Sequence, residues 1–181
     1  MSFRQDPFIR PCIRDIIRSV IRPVYGASGG IAGGIAGGIA FNVAQLFANS
    51  EVGLFADIQN LGSLWQEEAM TTPSAIGDPV GMILDQSGTG HHLATTTSGH
   101  KPLLRQDASG HYYLECDGLD DKLVATFAIA PGDCTLVFAG PDEITVRTVT
   151  VGTTFKLHTG LCYGLLLIDR PLTAAELGSI L

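Results

Sequence analysis

The sequence predicts an all-β sandwich domain that follows a basic N-terminal arm. From Glu51 onward, short apolar runs alternate with clusters of Gly, Pro, Asp, Asn and Ser, a pattern typical of short strands joined by tight turns. The first 50 residues carry five arginines and two aspartates, whereas the other residues carry six basic and sixteen acidic side chains. The chain therefore divides into an arm of net charge +3 and a body of net charge −10.

The size and composition of the chain fit one globular domain with a short appendage. Its 181 residues are 45% hydrophobic and 16% charged, which argues against wholesale disorder. The formal net charge of −7 argues against a general nucleic-acid-binding protein. We expect an anchoring arm over residues 1–45 and a β-sandwich domain over residues 46–181.

The first part of the arm has the spacing of an amphipathic helix. Its apolar residues recur three and four positions apart over residues 9–22, Pro11 suits a first helical turn, and Pro23 ends the run. Like charges four apart repel one another, so the basic stripe needs water or an acidic partner. A solvated face, an anchor on another protein, and a membrane or nucleic-acid surface all remain open. The anchor hypothesis rests on Arg10, Arg14, Arg18 and Arg22.

The second part of the arm repeats the unit GGIA three times over residues 29–40. A helix would stack its glycines on one face, where another backbone can approach closely. An extended chain would place the isoleucines on one side and the alanines on the other, which suits close packing between chains. A membrane segment and a flexible linker are the alternatives. The glycines that would permit close packing are Gly29, Gly30, Gly33, Gly34, Gly37 and Gly38.

Seven strands and one helix are predicted in the body. The continuous apolar run Leu165–Ile168 indicates a strand covered on both faces, and the alternation of apolar residues with Thr and Arg over residues 144–151 indicates a half-buried strand. Thr173 and Glu176 have the spacing of a capping box, which opens a terminal helix. The predicted strands are Gly53–Ile58, Val80–Asp85, Tyr112–Cys116, Lys122–Phe127, Cys134–Ala139, Ile144–Val151 and Cys162–Ile168.

The cysteines argue against a zinc site. None forms a CxxC pair, and none has a histidine at metal-ligand spacing. A disulfide among the three body cysteines is conceivable, but we expect free, buried thiols. The four residues are Cys12, Cys116, Cys134 and Cys162.

Four stretches of the body carry a family resemblance. They are LFANSEVGLFADIQNLGSLWQEEAMTTP at 46–73, GDPVGMILDQSGTGHH at 77–92, KPLLRQDASGHYYLECDGLDDKLV at 101–124 and YGLLLIDRPLTAAEL at 163–177. In this order they resemble the concanavalin A-like, laminin-G-like jelly rolls of tailed-phage and prophage structural proteins. The resemblance implies a β-sandwich that closes with a strand and a short helix, and a basic arm that plugs into a virion.

The chain departs from that family between its third and fourth stretches. Only about forty residues separate Val124 from Cys162, where the family usually holds several more strands. We therefore expect a pared-down sandwich whose ligand-binding edge is reduced. The turn also reads Gly-Thr-Gly-His-His where Asn is more usual. Fold alone does not give function.

Carboxylates are the first candidates for chemistry. Glu115 and Asp117 alternate as a glycosidase pair would, but Asp117 opens a turn and no third acidic partner precedes Glu115, so we expect no catalysis. Asp117, Asp120 and Asp121 could bind calcium; we favour a tight turn at Gly118 in which these carboxylates cap backbone amides. Asp85, in the stretch DQSGTG, is likewise expected to close its own turn. No cofactor or metal is expected.

The histidines and aromatic residues are the remaining candidates. We expect solvated loop side chains rather than a metal cluster, and this applies to His91, His92, His100 and His111. Sugar binding usually needs an exposed aromatic platform, and Trp65, just after the first strand, is the candidate for glycan contact. The alternative is that Trp65 plugs one end of the sandwich.

The sequence as a whole favours a non-enzymatic phage virion protein such as a tail fibre, baseplate or decoration component. The arm would anchor it to acidic surfaces of other virion proteins, and the body would project, with host surface glycans as candidate ligands. A homo-oligomer is expected, a trimer by analogy with phage fibres. A membrane-tethered carbohydrate-binding module and a ligand-free capsid cement protein are the alternatives.

Overall fold

The computed structural model describes residues 43–158 and 160–180. In this part of the chain, twelve strands and one α-helix follow one another, with short 3₁₀ turns at Val43–Phe47, Leu61–Ser63 and Ser98–His100. The strands are β1 (Gly53–Asp57), β2 (Leu64–Trp65), β3 (Met82–Ile83), β4 (Leu93–Ala94), β5 (Leu103–Gln106), β6 (Tyr112–Glu115), β7 (Leu123–Thr126), β8 (Gly132–Ala139), β9 (Ile144–Val151), β10 (Thr154–Leu157), β11 (Leu161–Cys162) and β12 (Gly164–Ile168), and the helix is α1 (Ala174–Ile180).

The described strands form three antiparallel sheets, so the prediction of an all-β protein with a short C-terminal helix is confirmed. Sheet I has the strand order β1-β12-β8-β9, sheet II has the order β10-β7-β4-β3-β2, and sheet III has the order β11-β6-β5. The longest pairing joins β8 to β9, where eight consecutive residues of each strand are in register.

All three sheets contribute to one hydrophobic core, which we call the inner cluster. Alternate residues of each strand point to the same side of a sheet, so one face of every sheet can supply apolar side chains to it. Because the cluster draws on sheets I, II and III together, it is the main interaction that holds them to one another. Its fully buried members include Leu54, Leu64, Ile83, Leu104, Leu114, Leu123 and Leu167.

The opposite face of sheet I carries a second apolar group, the outer cluster. Phe55, Val137, Leu166 and Ile168 form it together with Leu46 and Phe47 from the first 3₁₀ turn. Ile180 of α1 packs against it as well. Both faces of β1 and β12 are therefore buried, which confirms the prediction for Leu165–Ile168. The turn Val43–Phe47 spans the predicted boundary between arm and body, at residues 45 and 46.

The Asp85 turn closes the outer edge of β1. One carboxylate oxygen of Asp85 accepts hydrogen bonds from the amides of Phe55 and Ser87, both at 2.9 Å. The other oxygen accepts bonds from the hydroxyls of Ser87 and Thr89 and from the amide of Gly90. The backbone of the same turn returns a hydrogen bond, because the amide of Gln86 donates to the carbonyl of Phe55. Asp85 thus closes its own turn, as predicted, and also satisfies an edge amide of sheet I.

A glutamine side chain joins sheet I to sheet III. Gln59, two residues after β1, accepts a hydrogen bond from the amide of Tyr112 at 2.9 Å and donates to the carbonyl of the same residue at 2.6 Å. The carboxamide therefore pairs with β6 as a neighbouring strand would. This contact satisfies two backbone groups that a part-buried strand would otherwise leave without partners.

Arg170 ties the outer layer to the end of β12. Its guanidinium group contacts the carboxylates of Glu51, at 3.2 Å, and Glu176, at 2.7 Å, and donates to the carbonyl of Leu46. Hydrogen bonding from Arg170 lowers the pKa of Glu176 to about 2. Glu176 also accepts from the amide of Thr173, whose hydroxyl accepts from the amide of Glu176, so the predicted capping box is confirmed.

The strand predictions differ from the structure in length and number. Residues 80–85 yield only the two-residue β3, and the predicted strand 162–168 divides at Tyr163 into β11 in sheet III and β12 in sheet I. The prediction missed β2, β4, β5 and β10, which are short strands of sheets II and III. The apolar residues of β9 change from one face of the strand to the other. Ile144 packs on the outer cluster, whereas Val149 and Val151 pack with the inner cluster.

We predict that Asp85→Ala destabilises the protein by about 3 kcal/mol, because it leaves buried and part-buried donors of the turn and of β1 without acceptors. Urea denaturation of the full chain measures the change in unfolding free energy. Asp142→Ala, which removes an exposed carboxylate from the loop between β8 and β9, is the matched control and should cost less than about 0.5 kcal/mol. Equal stability of the two variants would contradict this role of Asp85.

Candidate functional site

The acidic turn after β6 is the densest group of chemically capable side chains. Among the described residues, Asp117, Asp120 and Asp121 are the only three potential metal ligands whose ligand atoms lie within 4.8 Å of one another. Gly118 adopts a φ of +76° at the centre of this turn, a conformation that glycine adopts at little cost. The predicted tight turn is therefore present.

The carboxylates of this turn are occupied by the turn itself. Asp117 accepts hydrogen bonds from the amides of Leu119, Asp120 and Asp121, and the bond from Leu119 is the main cause of its lowered pKa. Asp121 accepts from the amide of Asp117 at 2.8 Å. Asp120 differs from the prediction, since it contacts Nε2 of His100 at 3.3 Å instead of capping an amide. Turn formation and the contact with His100 therefore account for the positions of the three carboxylates.

The proposed carboxylate pair does not work as a unit. Glu115 lies on β6 and accepts a charge-assisted hydrogen bond of 2.7 Å from Nε of Arg105 on the adjacent β5. Asp117 is held by the amides of its own turn. Each carboxylate therefore has a separate structural partner.

The four candidate histidines contact specific residues of the body, so the prediction that they are solvated loop side chains is wrong. His91 and His92 belong to the Asp85 turn: Nδ1 of His92 accepts from the amide of Asp85, and the ring of His91 packs 4.6 Å from that of Phe127. His100 contacts the acidic turn. His111 is buried, and its Nδ1 lies 3.6 Å from a carboxylate oxygen of Asp107. The histidines lie at three separate places and form no metal cluster within the described residues.

Trp65 lies on β2, the edge strand of sheet II. The residue is half-buried, and its indole N–H is buried without a hydrogen-bond partner among the described residues. The carbonyl of the next residue, Gln66, accepts a 2.7 Å hydrogen bond from Lys101. A half-buried ring offers less of its face to a sugar than the fully exposed platform that glycan contact favours. Glycan contact at Trp65 stays a prediction.

The candidate anchor lies outside the described residues. This applies to Arg10, Arg14, Arg18 and Arg22 and to the six glycines of the GGIA repeat.

Comparison with protein-family models, curated proteins and solved structures finds no match to this chain. Within the described part of the chain, no helix combines the length and the apolar character that a membrane-spanning segment requires.

The described thiols are free and buried, as predicted. Burial raises the pKa of Cys162 to about 12 and those of Cys116 and Cys134 to about 11, with the negative charge of nearby aspartates adding to the effect at Cys116 and Cys134. The thiolate is the reactive form of cysteine, so these side chains are inert near neutral pH.

We predict that no more than one of the four thiols, Cys12, reacts rapidly with Ellman's reagent in the native protein at pH 8, because the three described thiols are protonated and covered. All four should react in guanidinium chloride. Rapid labelling of two or more thiols under native conditions would contradict the buried placement.

Sequence reasoning missed a buried carboxyl group at the end of β1. Asp57 is 2% exposed and accepts a hydrogen bond from the amide of Gln59 at 2.9 Å. Burial raises the pKa of Asp57 from 3.8 to about 6. The folded state therefore holds this proton between about pH 4 and pH 6, where the unfolded state has lost it, so stability falls as the pH rises through that window. Above the window, the ionised carboxylate lowers stability by a constant amount.

We predict that Asp57→Asn stabilises the protein by about 2 kcal/mol at pH 7.5 and changes its stability little at pH 4, because the amide avoids the cost of a buried charge. The Asn oxygen can still accept from Gln59. Urea denaturation at both pH values measures the difference. Asp133→Asn, at an exposed position of β8, is the control and should show no such pH-dependent gain. An equal gain at pH 4 and 7.5 would exclude titration of Asp57 as its cause.

Proposed function

We propose that the chain is a non-enzymatic structural protein of a tailed-phage particle, in which the N-terminal arm anchors an acidic β-sandwich body that the particle displays. The observation that carries the proposal is the division of charge at the point where the described body begins. Residues 1–42 have a net charge of +3, with four arginines spaced four apart, and the residues that follow have a net charge of −10.

The contacts of the body support a role in display. Its most distinctive polar residues serve the fold: Asp85 closes the edge of β1, Asp117 closes the acidic turn, and Glu176 caps α1. Three antiparallel sheets around one core are compatible with a pared-down concanavalin A-like sandwich. Because these groups stabilise the body itself, the body is suited to presenting a surface.

The arm supplies the chemistry that an anchor needs. Guanidinium groups form bidentate hydrogen bonds with carboxylates, and several of them in one stripe give a contact with defined direction. An acidic surface on a neighbouring virion protein would be attracted by the arm and repelled by the acidic body. The negative charge of the bodies would also keep the bodies of adjacent copies apart in a homo-oligomer.

We predict that reversing two arm charges, with Arg14→Glu and Arg18→Glu, lowers incorporation of the full chain into particles at least about tenfold, because each lost charge pair costs about 1.5 kcal/mol or more. Mass spectrometry of purified particles from the genome that encodes the chain measures the incorporated copies. Arg147→Glu with Lys156→Glu is the matched control, since it changes the net charge equally at exposed body positions.

Two outcomes would overturn the proposal. The first is the absence of the wild-type chain from purified particles. The second is equal incorporation of the arm variant and the body variant. Circular dichroism of each variant confirms that the body is folded, so that a loss of incorporation is not mistaken for a loss of structure.

A further inference from the structure

The two edges of sheet I differ in how their backbone groups are satisfied. At the β1 edge, Asp85 accepts from the amide of Phe55, and the hydroxyl of Thr89 donates to the carbonyl of Gly53. At the opposite edge, β9 pairs with β8, and no other described strand pairs with it. A turn therefore covers one edge, and the described residues leave the other open.

The open edge has few of the features that protect edge strands from further pairing. Its eight residues pair with β8 in continuous register without a bulge, they include no proline, and Arg147 is their only charge. By contrast β10, an edge strand of sheet II, is half as long and carries the exposed Lys156. A long, regular and nearly uncharged edge such as β9 is a template for an additional strand.

The hairpin between β8 and β9 decides which backbone groups of β9 point outward. The amide of Gly140 donates to the carbonyl of Glu143 at 2.9 Å, so these two residues form a hydrogen-bonded pair at the start of the ladder. Hydrogen-bonded and non-hydrogen-bonded pairs alternate along antiparallel strands, so every second residue from Ile144 directs its N–H and C=O away from β8. The outward residues are Ile144, Val146, Thr148 and Thr150.

A row of apolar side chains on the outer face of sheet I ends at this edge. The strand register places Phe55, Leu166, Val137 and Val146 side by side across β1, β12, β8 and β9. The first three belong to the outer cluster, whereas Val146 is 40% exposed. A further strand with an apolar residue opposite Val146 would extend the row and cover this side chain.

A second copy of β9 meets this requirement. When two copies run antiparallel about a two-fold axis at Val146, that residue opposes its own counterpart, and the apolar row of one sheet continues into the other. Arg147 then opposes Thr145 of the second copy. The two arginines are diagonal to each other, and each has on its other diagonal Glu143 of the other copy, an exposed carboxylate just before β9. The strand is therefore complementary to itself in both apolar contact and charge.

We propose that two copies of the chain associate through β9, antiparallel and with Val146 opposite Val146. Residue 146 with its counterpart, and residue 144 with 148 in both directions, exchange backbone hydrogen bonds in pairs, so that two four-stranded sheets become one of eight strands. The acidic charge of the bodies opposes their contact in general, but β9 itself carries no acidic residue. This inference goes beyond the proposed function and does not depend on it.

A disulfide between copies tests the register in the full chain. In a Cys12→Ser background, Val146→Cys should link two chains, because hydrogen-bonded residues on opposed strands have Cα atoms about 5.5 Å apart, within the range of a disulfide. Thr148→Cys is the matched control: it is exposed on the same face of β9, but the proposed register sets its two copies about 14 Å apart along the strands. Non-reducing gels read the result. No link at residue 146, or a faster link at 148, would overturn the proposal.

A charge exchange tests the contact without a covalent bond. Arg147→Glu sets an acidic group beside Glu143 of the second copy, so it should weaken association at least about tenfold, and adding Glu143→Arg to it should restore association. Lys156→Glu makes the same change of charge on β10 and should have no effect. Sedimentation equilibrium in about 0.2 M salt, which screens the repulsion between acidic bodies, measures the association.

Two results of the charge exchange would contradict pairing through β9. One is a monomeric wild-type chain, and the other is association of the Arg147→Glu variant as strong as that of wild type. All of these charge variants keep the arm unchanged and should enter particles normally. A failure of the pairing therefore leaves the proposed anchor untouched, and a failure of the anchor leaves the pairing untouched.

Discussion

The inner cluster holds the layers together, and the hydrogen bond from the amide of Phe55 to the carboxylate of Asp85 completes the buried edge of sheet I. β1 is an edge strand of sheet I, yet both of its faces are buried, between the inner cluster and the outer cluster. Water therefore has little access to its outward backbone groups, and an edge amide without a partner would cost more there than on an open surface. A turn that follows β3 of sheet II supplies the acceptor, so the contact that completes sheet I also joins it to sheet II.

Similar polar contacts join the other layers of the body. Gln59 pairs with the backbone of β6 and thereby joins sheets I and III, and Arg170 joins the first 3₁₀ turn, Glu51 just upstream of β1 and the C-terminal helix. In each case one side chain satisfies groups from elements that are far apart in sequence. Apolar burial brings the layers together without direction, whereas these polar contacts select one arrangement of them. Several strands have only two residues, so the arrangement of the sheets depends on the few polar side chains that lie where the layers meet.

The sequence predicted those features whose causes are local. The capping box at Thr173, the turns at Asp85 and Gly118, and the double burial of Leu165–Ile168 follow from spacing within a few residues, and each is present. The two-residue strands of sheet II could not be predicted, because partners that are distant in sequence define them. The histidines were misjudged for the same reason: polar neighbours in sequence suggested solvent, but His91 packs against Phe127, 36 residues further along the chain. Asp57 gave no signal, since only the packing around the end of β1 buries it.

The outer cluster includes the first described residues of the chain. Because Leu46 and Phe47 cover one face of β1 and β12, the chain enters the body as part of its hydrophobic structure. Arg170 fixes this segment further, because it contacts the carbonyl of Leu46 and the carboxylate of Glu51. An anchor joined to the body only by an exposed linker would transmit no such constraint on orientation. If the arm is an anchor, as proposed, the packing of Val43–Phe47 on sheet I would fix the direction as well as the position of the body.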